Sequence, residues 1–154
     1  MKRALGFRAE PTQIHWAIVE GTSREPILID HGKASAPVNL DEAPAFTWLS
    51  TRVKQIVEQH HPTVAAIRSA ESTARGSNKD GPRRRLRIEG VLLQTLDACG
   101  LKVTMGALAT ISGKLGSRAK KYIDADELRG VDISSLSANA KEAVLVAVAV
   151  LPKD

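Results

Sequence analysis

The sequence predicts an α/β fold in which helices flank a five-stranded mixed sheet, with an antiparallel three-strand meander followed by parallel strands. Three observations support this. The first third of the chain has apolar residues at period two, the next segment changes to helical spacing, and short apolar runs then alternate with helical segments. A chain of 154 residues fits one domain. We place that domain at residues 1–151, followed by a short tail at 152–154.

The first three strands are closely spaced along the chain. Residues 3–9 place Leu5 and Phe7 on one face and small residues on the other. Residues 12–21 and 25–35 follow, each after a turn segment that contains proline. Strands joined by such short turns pair with their sequence neighbours in antiparallel fashion. The pattern therefore predicts a meander.

The later elements alternate between helices and strands. Apolar residues at helical spacing predict a first helix that begins near Asn39, a candidate N-cap, and ends before Pro62. The elements that follow are a strand at 63–70, a helix that ends at Gly100, a strand at 101–105, one or two short helices within 107–123 and a last helix at 138–151. The last helix is apolar on most of its circumference, so we expect it to be covered on more than one side.

One segment contains the whole net charge of the chain. Between residues 75 and 87 there are six basic residues and one acid, which together equal the chain's net charge of +5. We interpret 71–83 as a flexible basic loop, with Pro82 suited to the start of the next helix. Arginines at that helix end oppose the helix dipole, and a bound anion would relieve this cost. The alternative is a charged loop without a partner.

The basic residues of this segment are candidate contacts to a phosphate backbone, because arginine binds phosphate bidentately. They are Arg75, Lys79, Arg83, Arg84, Arg85 and Arg87. Lys114 and Arg118 belong to a second basic cluster, for which the alternative is a solvated helix face paired with the acids that follow. Aromatic residues make up only 3% of the chain, which disfavours binding by base stacking.

Several other classes of site have no support in the sequence. Cys99 is the single cysteine, so an intramolecular disulfide is excluded. The patterns of a P-loop, a dinucleotide-binding loop and a serine-nucleophile turn are absent. His60 lies at a helix end, where a capping role is expected, and His15 alternates with apolar residues, which predicts the solvent face of its strand. No apolar leader or bilayer-length segment is present, so we expect a cytoplasmic protein without a membrane partner.

Three stretches of the chain carry a family resemblance: "ALGFRAEPTQIHWAIVE", "VAAIRSAE" and "NAKEAVLVAVAV". Together with the element order they resemble the ribonuclease H-like fold, and in particular its RuvC-type Holliday-junction resolvase branch. Within that branch the chain resembles short bacterial RuvC-like proteins with degenerate catalytic acids, in which a Gly- and Lys/Arg-rich loop follows the fourth strand. The resemblance covers nearly the whole chain.

The resemblance implies where catalytic acids would lie. Nucleases of this superfamily use two divalent metals held by three or four carboxylates. The position of the first aspartate is Arg8, that of the fourth-strand glutamate is Arg68, and that of the last-helix acid is Glu142. Like charges a few ångströms apart repel by about 4 kcal/mol at an effective dielectric constant near 20. We therefore expect a protein that lacks the usual metal centre, needs no cofactor, and binds nucleic acid through Arg8, Arg68 and the basic loop.

Two alternatives remain. Glu10 and Glu71 lie two or three residues beyond the expected positions and, with Glu142, would form a shifted acidic site for a Mg²⁺-dependent endonuclease. In the competing interpretation these are turn carboxylates paired with nearby arginines. The other alternative is a non-catalytic homodimeric module that associates through a sheet edge or through the apolar last helix.

Overall fold

The structure, a computed structural model that describes residues 1–70 and 79–154, contains a five-stranded sheet with helices on both faces. The strands of the sheet are β1 (Arg3–Ala9), β2 (Ile14–Gly21), β3 (Pro26–Ala34), β4 (Val64–Arg68) and β5 (Lys102–Gly106). The helices are α1 (Glu42–His60), α2 (Asp80–Ala98), α3 (Leu108–Leu115), α4 (Ala119–Ile123) and α5 (Ala138–Ala149). Two short strands, β6 (Glu127–Leu128) and β7 (Val131–Asp132), form a separate hairpin.

The order of strands in the sheet is β3-β2-β1-β4-β5. β1 pairs with β2, and β2 with β3, in antiparallel orientation, whereas β4 lies parallel to both β1 and β5. The predicted fold class, an antiparallel meander followed by parallel strands, is confirmed. Because β1, β4 and β5 are parallel, their carboxyl ends lie at one edge of the sheet, which we call the carboxyl edge.

The period-two alternation of β1 separates two cores. Leu5 and Phe7 face α1 and α2 and lie in a core of large aliphatic and aromatic side chains. Ala4 faces the other side, where the core is formed mainly by α5, α3 and α4. Both faces of the central strands are therefore covered, and small side chains mark the face on which α5 packs.

Helix α5 lies unusually close to β1 because of Gly6. A Cβ atom at this position would come within 2.2 Å of the Ala143 carbonyl oxygen and 2.8 Å of the Ala147 Cβ. Residues 141–149 are all buried, which confirms that the last helix is covered on more than one side. The interpretation of this helix as a homodimer face is wrong, because its apolar surface is already covered by the chain itself. Association through a sheet edge stays a prediction.

Some element boundaries differ from those predicted. The first helix begins after Asp41, whose carbonyl accepts the Ala45 N–H at 2.9 Å, rather than at Asn39. Helix α2 begins at Asp80, so 80–83 form its first turn and do not belong to the predicted loop 71–83. The remainder of that loop, apart from Lys79, lies outside the described residues. None of the helices in the two described ranges is long and apolar enough to cross a membrane.

Candidate functional site

Arg8 and Arg68 lie side by side at the carboxyl edge. They are register partners on the parallel strands β1 and β4. Both side chains point to the α5 side of the sheet, because each lies two residues after a position, Gly6 or Ala66, that packs on that side. Two guanidinium groups are thus brought next to each other where their strands end.

One carboxylate on α5 bridges these two guanidinium groups. Arg8 Nε donates to Glu142 Oε2 at 2.8 Å, and Arg68 Nε donates to Glu142 Oε1 at 2.9 Å. The Nη1 atoms of the two arginines donate to the backbone carbonyls of Ala9 and Ser69. The side chains of Arg8, Arg68 and Glu142 are only 14%, 5% and 8% exposed. We call this arrangement the Arg8–Glu142–Arg68 bridge.

A second ion pair, formed on α2, lies next to the bridge. Arg85 Nε is 3.2 Å from Glu89 Oε2, and both oxygens of Glu89 accept the Ala70 N–H at 3.2 Å. Arg85 Nε and Nη2 are buried without an aligned hydrogen-bond acceptor among the described residues, so its contact with Glu89 is mainly electrostatic. The two clusters together contain three guanidinium groups and two carboxylates, which leaves one positive charge.

Ionisation within these clusters reflects their burial. Burial lowers the pKa of Arg85, and the nearby positive charge of Arg8 lowers it further, although the guanidinium stays protonated. Burial raises the pKa of Glu89 above its ordinary value, and the Ala70 N–H and the charge of Arg85 offset this only in part. The charges of the neighbouring arginines therefore do not fully offset the cost of burying the Glu89 carboxylate.

Glu10 occupies the turn between β1 and β2 at the same edge. Its carboxylate accepts hydrogen bonds from Gln13 Nε2 at 2.6 Å and from His15 Nε2 at 2.5 Å. Burial raises the pKa of Glu10, but the hydrogen bonds from Gln13, His15 and Asn139 outweigh it and leave the pKa below its ordinary value. The prediction that His15 faces solvent is wrong, because α5 covers that face and His15 is only 7% exposed.

The described residues do not fit a two-metal centre. Mg²⁺ requires oxygen ligands, and both oxygens of Glu142 are engaged by arginines while Glu10 is engaged by Gln13 and His15. In residues 1–70 and 79–154 no three His, Cys, Asp or Glu side chains are grouped so that they would hold a metal ion. Glu71, the third acid of the shifted site, lies outside the described residues.

Comparison with known proteins finds relatives and structural neighbours among the RuvC-type resolvases. No family model matches the chain. A curated relative, the crossover junction endodeoxyribonuclease RuvC of Roseiflexus sp. (strain RS-1), is 29% identical over 101 residues, which are 66% of this chain. The match spans 58% of that relative's length.

Solved structures match over almost the whole chain. RuvC of T. thermophilus in complex with a Holliday junction substrate matches with a TM-score of 0.76 and 11% identity, covering 97% of this chain and 92% of that one. The fowlpox virus resolvase in complex with Holliday junction DNA matches with a TM-score of 0.58 and 13% identity, covering 96% and 97% of the two chains. This chain has the RuvC-like ribonuclease H fold. The predicted resemblance is confirmed.

In this RuvC-like chain, most of the described arginines of the basic segment contact other parts of the protein. Arg84 Nε donates to the Pro11 carbonyl at 2.7 Å, and its guanidinium lies 5.4 Å from the centre of the Phe46 ring. Arg87 pairs with Glu42. Arg83 is exposed in the first turn of α2, and Lys79 is exposed at its N-cap position. Arg75 lies outside the described residues.

The first residue of the second basic cluster lies elsewhere in the RuvC-like fold. Lys114, in the last turn of α3, lines a cavity with Ser23 and Lys153, and Ser23 follows the end of β2 at the edge of the sheet opposite Arg8. Arg118 is exposed and directly precedes α4. The structure therefore does not bring Lys114 to the carboxyl edge.

Three residues that shape the site were missed in the sequence. Glu89 follows Arg85 by four positions in α2, a spacing typical of ion pairs on a helix, and this signal was available. His15 and Asn139 reach Glu10 through the tertiary packing of α5 against the sheet. No local pattern indicates those contacts.

Proposed function

We propose that this protein binds nucleic acid at the carboxyl edge and does not cleave it by two-metal chemistry. The observation that supports this best is the Arg8–Glu142–Arg68 bridge, in which one carboxylate is shared by two guanidinium groups. A metal-dependent nuclease needs a group of free oxygen ligands at its centre. Here that position contains two cations, which repel a metal ion and attract phosphate.

The surface next to the bridge provides the direct contacts. Arg8 and Arg68 are mostly buried, so they act mainly through their charge, whereas Lys79 and Arg83 are exposed at the start of α2. Exposed lysine and arginine side chains of this kind contact phosphates, and such contacts do not distinguish one base sequence from another. Each neutralised phosphate of duplex DNA contributes about −0.9 to the slope of log affinity against log salt concentration. Binding is therefore sequence-independent and strongly salt-dependent.

Branched DNA is the ligand class to test first. The T. thermophilus RuvC and fowlpox virus resolvase structures of similar fold are complexes with Holliday junctions. We infer that a four-way junction binds more tightly than a linear duplex. A single strand and an RNA duplex of equal length complete the set, because the charge of the carboxyl edge does not itself distinguish DNA from RNA.

Fluorescence anisotropy with labelled junction, duplex, single strand and RNA tests the proposal. The titrations run from about 50 to 200 mM salt, the range over which such affinities change most. Lys79→Gln and Arg83→Gln should each weaken binding and reduce the magnitude of the salt slope by about 0.9. Lys102→Gln is the matched control, since Lys102 begins β5 and lies at the opposite edge from Arg68. Absence of affinity for all four ligands at low salt would reject the proposal.

A second candidate function is the Mg²⁺-dependent nuclease that uses Glu10, Glu71 and Glu142. The observation in its favour is that Asn139, which contacts Glu10, lies one turn before Glu142 on α5. Glu142 therefore lies near the end of α5 that Glu10 contacts from the β1–β2 turn. Incubation of the four substrates with Mg²⁺ or Mn²⁺ would then give cleavage that is lost in Glu10→Gln and Glu142→Ala. Glu58→Gln, at an exposed acid of α1, is the control.

A further inference from the structure

A second positively charged region lies at the edge of the sheet opposite the bridge. It is a cavity of about 360 Å³ between the β2–β3 turn, the end of α3, the β6–β7 turn and the segment after α5. Its polar lining consists of Ser23, Arg24, Lys114, Arg129 and Lys153. None of the described lining residues is acidic. Four cations from four separate parts of the chain therefore face one small space.

Arg129 is fixed in place in the wall of this cavity. It has a left-handed backbone (φ 48°) and is followed by Gly130 (φ 88°), so the two form the tight turn between β6 and β7. Its guanidinium donates to the carbonyls of Ser23 and Leu115, both at 2.5 Å, and to the Tyr122 hydroxyl at 3.4 Å. These acceptors are neutral and use three of its five N–H groups.

The charge of Arg129 is not neutralised by a neighbouring acid. No carboxylate of the described residues lies within ion-pair distance of its guanidinium. Burial raises the pKa of Tyr122, but hydrogen bonds with Arg129 and Ser117 and the positive charges of Arg129 and Lys121 outweigh it and lower the pKa. The contributions of Arg129 and Lys121 have the sign expected for a positive potential at the wall.

The other cations add to this potential. Lys114 and Lys153 are exposed at the rim. Arg24 lies 3.3 Å from Asp154, but the two side chains are 72% and 82% exposed, and such a pair is weak in water. Mutual repulsion among these cations is therefore largely uncompensated within the described chain, and an anion in the cavity would relieve it.

We propose that this cavity binds a small phosphate-bearing anion, with the guanidinium of Arg129 and the ammonium group of Lys114 as its ligands. The volume is near the lower limit of ligand pockets, about 300 to 1,000 Å³, and suits a phosphate or pyrophosphate group with a small attachment. The phosphate belongs either to a free phosphorylated molecule or to a polynucleotide. This site is separate from the carboxyl edge and does not depend on the function proposed there.

Titration of the full chain with pyrophosphate tests the proposal. Calorimetry should show saturable binding, and NMR spectra should show changes at the backbone amides of Ser23, Gly116 and Arg129. The test variants are Lys114→Glu and Lys153→Glu. Both residues are exposed, so these substitutions leave the Arg129 contacts intact. Loss of a charge-assisted contact should weaken binding about tenfold or more in Lys114→Glu. Lys120→Glu, the same charge change at an exposed residue of α4, should leave the affinity nearly unchanged.

A competition experiment distinguishes the two sources of phosphate. If a DNA duplex displaces pyrophosphate from the wild type, and Lys114→Glu also weakens binding of the duplex itself, the ligand is a polynucleotide; otherwise it is a small molecule. The proposal is overturned if pyrophosphate has no effect beyond that of chloride at equal ionic strength. It is equally overturned if Lys114→Glu and Lys120→Glu bind pyrophosphate alike.

Discussion

Arg8 and Arg68 occupy paired positions on adjacent parallel strands, and their Nε atoms donate to the two oxygens of one carboxylate, that of Glu142. Adjacent cations repel each other, so their juxtaposition depends on the shared carboxylate. The bridge also connects the ends of β1 and β4 to the first half of α5. Its contribution to stability can be measured without any ligand.

Replacement of Glu142 by glutamine should strongly destabilise the fold. The variant leaves two buried guanidinium groups without a countercharge, and breaking a buried ion pair in this way costs about 3–5 kcal/mol. The free energy of unfolding, measured with urea, should fall by that amount. Glu58→Gln, an exposed substitution on α1, should change it by less than about 0.5 kcal/mol.

The triple variant Arg8→Met, Arg68→Met and Glu142→Met is the second control. Replacing a whole buried ion network by apolar side chains is often neutral or stabilising, so this variant should be more stable than Glu142→Gln. Equal destabilisation of both variants would mean that the loss comes from packing and not from uncompensated charge.

The double variant Arg8→Asp with Arg68→Glu should create a site for a divalent cation. Three carboxylates would then meet at the carboxyl edge, and hard cations prefer such oxygen ligands. Without metal the variant should be less stable than the wild type because like charges repel. Mn²⁺ at about 100 times its Kd should raise the free energy of unfolding by about 2.7 kcal/mol.

Thermal unfolding with and without Mn²⁺ measures this gain. A control with the same change of charge is Lys102→Glu with Lys120→Glu, two exposed residues away from the bridge. Wild type and control should show no more effect of Mn²⁺ than of sodium at equal ionic strength. A gain in the control as large as in the double variant would contradict the assigned geometry.

Gly6→Ala should destabilise the protein more than a typical substitution of its size. The new Cβ would lie 2.2 Å from the Ala143 carbonyl, so α5 must move away from β1. We expect a loss of about 3 kcal/mol in the free energy of unfolding. Gly90→Ala is the matched control, because the new Cβ would meet no neighbouring atom within 4 Å. Alanine in place of glycine in a helix should raise the free energy of unfolding by about 0.5–1 kcal/mol.

Much of the fold was predictable because the period-two pattern of β1 and the later helical spacing are local signals. The position of Arg8 beside Arg68 was also accessible, since the carboxyl ends of neighbouring parallel strands meet at one edge. The contact of both with Glu142 was not, because it depends on how closely α5 approaches Gly6. Sequence spacing contains no information on that distance.

The error at His15 has a related cause. Alternation along β2 separates two faces, but it does not distinguish a solvated face from a second buried one. The apolar character of residues 138–151 indicates a covered helix, but it does not distinguish a homodimer surface from the cover of that second face. Had α5 been placed on the sheet, His15 would have been predicted as buried beside Glu10, as it is in the structure.

The ionisation of Glu89 gives a prediction for pH dependence. Its pKa is raised above 4.5 by burial, so the folded state binds this proton more readily than the unfolded state. The contribution of Glu89 to the free energy of unfolding therefore falls as pH rises from about 4 through the raised value. Glu89→Gln lacks this titration, so its stability relative to the wild type should improve over that interval.

Glu10 should show the opposite sign. Its pKa is lowered by its hydrogen-bond donors, so its contribution is present above the ordinary value of 4.5 and is lost as pH falls. Glu10→Gln should therefore become less stable relative to the wild type as pH rises through the region below and around 4.5. Urea unfolding of the three proteins at a series of pH values gives both differences directly. If the stability difference between variant and wild type changes with pH in the same direction for both variants, one assignment is wrong. Either burial does not dominate the pKa of Glu89, or hydrogen bonding does not dominate that of Glu10.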